Sequence, residues 1–75
     1  MMENGIEHKI LERFKERLVV RKTELIQLIE DDIKGSEEPM SIVNTVTRML
    51  IQKGWITPLY ASATTFAITQ RGIKA

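Results

Sequence analysis

Seventy-five residues, 43% hydrophobic and 28% charged with a formal charge of +1, describe one small globular domain rather than a disordered chain. No apolar run approaches the roughly 20 residues of a membrane span, and the absence of cysteine excludes disulfides and thiolate metal sites. The polar start, Met1-Met2-Glu3-Asn4-Gly5, lacks a basic flank followed by an apolar block, so no signal peptide is expected and the predicted location is cytoplasmic.

In chain order, Ile6, Ile10, Phe14 and Leu18 recur every four residues, with Leu11 beside them, which predicts a first helix over about 6–18. Leu18-Val19-Val20 is a short β-prone stub. Thr23 is a good N-cap and Glu24 suits a first turn, so a second helix is predicted over about 23–33, with Leu25, Ile26, Ile29 and Ile33 inward and Lys34-Gly35 as its stop. Pro39 opens a third helix over about 38–53, with Val43, Val46, Thr47 and Leu50 inward and Lys53-Gly54 as its stop. The β-rich strings 55–60 and 65–69, joined by Ala61-Ser62-Ala63-Thr64, read as an antiparallel hairpin over about 55–69. Pro58 cannot donate to a ladder, so its strand lies at an edge or bends there. The short strand is expected to pair with the hairpin. The fold class is therefore α+β, three helices with a small antiparallel sheet.

Charge divides the chain. Residues 1–38 hold seven Lys or Arg against ten Asp or Glu, a net of −3, while 39–75 hold Arg48, Lys53, Arg71 and Lys74 and no acid at all, a net of +4. Such asymmetry points to a polyanionic partner, because a phosphate backbone penalises nearby carboxylates. The plainer alternative is that the second half is simply apolar strand and buried helix.

Two strings carry a resemblance: Met49-Leu50-Ile51-Gln52-Lys53-Gly54-Trp55-Ile56, a helix end running through Gly into a strand, and Phe66-Ala67-Ile68-Thr69-Gln70-Arg71-Gly72. Behind two helices of suitable length, their order and separation resemble the winged helix-turn-helix family, in particular small regulators of the MarR and PadR type, over roughly residues 6–73. The resemblance implies sequence-specific binding to double-stranded DNA and regulation of transcription, with helix three in the major groove and the hairpin wing on the neighbouring backbone. A homodimer is expected, because a small domain without staples gains by burying more surface. The extra dimerisation helices common in that family are not seen, so helix one or exposed apolar residues such as Met49 and Ile51 would have to supply its contacts. No cofactor and no metal are expected.

The helical phase then selects residues. With Val43, Val46, Thr47 and Leu50 inward, Ser41, Ile42, Asn44, Thr45 and Arg48 point away, an uncharged set apart from one Arg. Asn pairs with adenine, Arg with guanine, Ser and Thr with base or phosphate, and Ile with a thymine methyl, so these are the candidate base contacts. Candidate backbone contacts are Arg21, Lys22, Lys53, Tyr60, Ser62, Thr64 and Arg71. The chain departs from the family in having no cation at the wing tip, and Glu37-Glu38 would repel a phosphate at the start of helix three.

Plainer readings stand beside these. Arg21-Lys22 also suits a solvated turn, Arg71 and Lys74 a frayed tail, and Trp55 a core position rather than a stacking platform. The outward apolar Ile42, Met49 and Ile51 suit a winged-helix module that binds protein instead of DNA. Enzymatic activity is not expected. His8 is the only histidine and sits on a mixed-charge helix, successive Asp31-Asp32 point about 100° apart on a helix, and no Gly-rich phosphate loop is present.

Overall fold

A computed structural model describes residues 2–33, 38–60 and 64–75, with side chains from residue 5 onward. The chain is α+β. In order it forms α1 (Met2–Arg17), β1 (Val19–Arg21), α2 (Lys22–Glu30), α3 (Pro39–Gln52), β2 (Ile56–Pro58), β3 (Thr65–Ile68) and α4 (Gln70–Lys74). The strands make one antiparallel sheet in the order β1-β3-β2.

The four-residue stripe buries Ile6, Ile10 and Phe14 against Leu25 and Ile29 of α2, Val43, Val46 and Leu50 of α3, and Val20, Ile56 and Phe66 of the sheet. Burying such side chains contributes about 1.5–3 kcal/mol each, the main term holding so small a domain. Thr47 is the one buried polar residue among those described, and its hydroxyl donates to the Val43 carbonyl at 2.8 Å. That bond removes most of the penalty of burying it.

Several helix boundaries differ from expectation, α1 beginning at Met2 rather than near Ile6, and two of the differences have a reason in the sheet. Leu18 is not the last member of the α1 stripe: its φ is 70° and it is 53% exposed. A left-handed residue ends a helix, and here it turns the chain into β1, where the Leu18 carbonyl accepts from the Ile68 amide at 2.9 Å. Thr23 is not the cap of α2. Arg21 takes that place in extended conformation with no side-chain cap bond, and the next amide, Lys22, donates to the Thr64 carbonyl at 2.7 Å. The sheet sets where α2 begins. At its other end α2 stops at Glu30, and Ile33 reaches the core from beyond the helix. The predicted stop Lys34-Gly35 lies outside the described residues, as do Ser36-Glu37.

α3 begins with Pro39 after an extended Glu38 and ends through Lys53 into Gly54, whose φ is 79°. In the hairpin, Phe66 pairs with Val20 on one side and Pro58 on the other. The Leu59 amide donates to the Thr65 carbonyl at 2.9 Å. Amides alternate in direction along a strand, so the Pro58 nitrogen points away from β3 and costs the ladder nothing.

A fourth helix was not anticipated. α4 is five residues long and capped by Thr69, whose hydroxyl accepts from the Gly72 amide at 3.1 Å. Gly72 is buried against the Trp55 backbone, where a Cβ would meet the Trp55 carbonyl and would stand 2.7 Å from the Ile68 side chain.

Candidate functional site

The inward set of α3 fixes its rotation about its own axis. Ser41, Thr45, Arg48 and Gln52 are exposed along the opposite side, spaced four, three and four residues apart. Asn44 is half-buried at one flank. Ile42 does not point away as expected: about 100° from Ser41, it lies half-buried at the other flank, packed against the core. It can offer at most part of its surface.

A shallow groove follows the Asn44 flank. Lys22 of α2, Asn44, Arg48, Ile51 and Gln52 of α3, and Pro58 of β2 line it, and none of its lining residues is acidic. The fold thus brings Lys22, chosen as a backbone contact, beside Asn44 and Arg48, chosen as base contacts. A second groove holds Arg21, Tyr60 and Thr65 together with Arg17 and Glu24. Tyr60 is 88% exposed at a φ of 56°, a conformation that costs about 1–2 kcal/mol for a residue with a Cβ. Thr64 is exposed at the loop end of the hairpin, just before β3, and Ser62 lies outside the described residues.

Ion pairing sorts the cations into two sets. Lys9 pairs with Asp32, Arg13 with Glu16 and Glu24, Lys15 with Glu12, Arg17 with Glu24, and Lys53 with Glu7. Among the described residues, Arg21, Lys22, Arg48, Arg71 and Lys74 have no carboxylate partner. Every paired cation among the described residues, apart from Lys53, belongs to α1. These pairs engage Glu7, Glu12, Glu16, Glu24 and Asp32 but not Glu30, Asp31 or Glu38, and the unpaired positive charge lies on β1, α2, α3 and the C-terminal segment.

Lys53, expected beside a phosphate, also makes contacts within the fold. Its ammonium lies 2.8 Å from the Glu7 carboxylate and 4.5 Å from the centre of the Trp55 ring, so it closes α1 onto the end of α3. Trp55 itself is half-buried and packs on the core. Arg71 is exposed, and its side chain passes over Gly54, where a Cβ would stand 3.2 Å from Nη1.

Gln52 was absent from the expected contact set. It continues the exposed stripe one turn beyond Arg48 and lines the same groove. The four-residue step from Arg48 points to it, one residue before the Lys53-Gly54 stop.

No protein-family model, curated protein or solved structure matches the chain. Among the described residues no group of three or more His, Cys, Asp or Glu side chains could hold a metal ion, and no helix is long and apolar enough to cross a membrane.

Proposed function

We propose that this chain is a winged-helix regulator that binds double-stranded DNA sequence-specifically, laying α3 in the major groove. The observation that carries the reading is the groove along α3, where Lys22, Asn44 and Arg48 converge without a carboxylate. Such a surface meets two needs of a duplex partner at once. Lys22 supplies charge to a phosphate, and Asn44 and Arg48 offer the donors that base edges recognise. The order of elements and the strand order β1-β3-β2 are compatible with a winged-helix arrangement, and they support this docking by analogy.

Ser41 and Thr45 add hydroxyls on the same exposed side, and Arg21 beside Tyr60 is suited to a phosphate flanking the hairpin. Glu38, exposed ahead of α3, disfavours phosphate at that end. The backbone path is therefore directed toward the Lys22 side. Binding to random duplex DNA across a salt series tests the reading. With about three phosphate contacts per monomer, the log–log slope is expected near −2.7 per monomer.

A second reading is favoured by the apolar flanks of α3, where Met40 is 54% exposed, Met49 37% and Ile51 36%. On that reading the same helix docks a protein. A flat salt response, or no binding at low salt, would favour it over DNA.

A further inference from the structure

The exposed stripe of α3 ends in two side chains of defined chemistry, Arg48 and Gln52, which share one groove with Lys22. Four residues along a helix separate them by about 6 Å of axis. Base pairs rise about 3.4 Å each along the duplex axis, and a helix in the major groove lies inclined to that axis, so the two side chains would stand about one to two base-pair steps apart. Arg is matched to the O6 and N7 acceptors of guanine, and Gln to the N6 donor and N7 acceptor of adenine. Both pairings are bidentate, and both use the major-groove edge.

We propose that Arg48 and Gln52 act as a paired reader that selects a guanine and an adenine about one to two base pairs apart. Lys22, from across the groove, holds the register on a phosphate. This rests on the DNA-binding reading above and adds the class of sequence it prefers. Ser41 and Thr45, with hydroxyls that donate or accept, discriminate less, and Asn44 adds an adenine contact of its own on the N-terminal side of Arg48. The last turn of α3 thereby carries two of the three selective side chains of the helix. That location suits Glu38, which sits at the opposite end.

The test is selection from a random-sequence duplex library with the full chain, at low and moderate salt. The parent protein is expected to enrich sites with guanine and adenine in the stated relation. Arg48→Ala is expected to erase the guanine preference and Gln52→Ala the preference for the adenine about one to two base pairs from that guanine, each weakening the selected site by about 5- to 150-fold. Gln52→Glu gives a readout that a structural role would not. A carboxylate accepts from cytosine N4, so the preference at that one position is expected to move from adenine to cytosine. Thermal melts confirm that each variant folds, as exposed positions allow.

Enriched sites without an adenine about one to two base pairs from the guanine, or a Gln52→Glu variant with the parent preference, would overturn the paired reader while leaving DNA binding intact. Failure of the parent to retain any duplex at low salt would sink the DNA reading and this inference with it.

Discussion

The Thr69 hydroxyl donates to the Gly54 carbonyl at 2.6 Å, and its oxygen also accepts the Gly72 amide at 3.1 Å. One side chain thus joins the turn after α3 to the start of α4. The Thr69 amide adds a third bond, to the Trp55 carbonyl at 2.8 Å. The two strings that carried the family resemblance therefore meet in space, and the threonine and the two glycines in them are explained by this junction.

Thr69→Val keeps the branched shape and deletes both hydroxyl bonds. Leaving a part-buried carbonyl and a helix-start amide without that partner is expected to cost about 1–2 kcal/mol of folding stability. Urea unfolding measures it. A midpoint identical to the parent's would mean that water replaces the hydroxyl at no cost.

Gly72→Ala places a methyl group where the Trp55 carbonyl and the Ile68 side chain already stand, with the latter 2.7 Å away. Backbone cannot retreat as a flexible side chain does, so α4 must lift. The expected loss is about 1–3 kcal/mol, together with faster hydrogen exchange at the Ile73 amide, which bonds to the Thr69 carbonyl at 3.0 Å. Unchanged protection there would show that α4 tolerates the methyl in place.

Lys22 and Lys53 carry the same charge and differ in what surrounds it. Lys22 has no acidic partner among the described residues, while Lys53 is tied to Glu7 at 2.8 Å. Lys22→Ala is therefore expected to reduce the magnitude of the salt slope of DNA binding by about 0.9, and Lys53→Ala to leave it near the parent value. Fluorescence anisotropy over a salt series reads both. Equal changes in the two variants would contradict the division of cations described above.

Leu50 and Arg48 are two residues apart on α3 and face opposite ways, the first fully buried and the second exposed. Leu50→Ala should cost about 2–5 kcal/mol of stability, whatever the chain binds. Arg48→Ala should leave the melting curve nearly unmoved and cost about 1–3 kcal/mol of binding to a preferred site. Paired melting and binding measurements separate the two. Loss of stability in Arg48→Ala would mean that its side chain supports the fold.

What the sequence disclosed was whatever repeats with a period. The inward positions of α3 are a run of four at helical spacing, and all four are buried. Ile6, Ile10 and Phe14 behave likewise in α1, and the residues of the hairpin announce themselves by β-branching. Features decided by contacts between distant residues were illegible. The Lys53–Glu7 pair spans 46 positions, and no local pattern announces it. The start of α2 depends on a bond from Lys22 to Thr64, which overrides the local appeal of Thr23 as a cap. α4 is too short to show any periodicity, and Leu18 reads as one more stripe residue until the chain has to turn. Within the candidate site, Arg48 and Asn44 were found by phase alone. Lys22 joins them only because α2 packs on α3.

Pro58 also has a bearing on how this chain behaves in company. Its ring nitrogen faces outward along the margin of β2 that no strand pairs with among the described residues, so an arriving strand finds a carbon where it needs a donor. Sheet growth from that margin is interrupted at its first step. A molecule with so little core to spare is thus guarded, on one flank, against building fibrils with its own neighbours in a crowded solution.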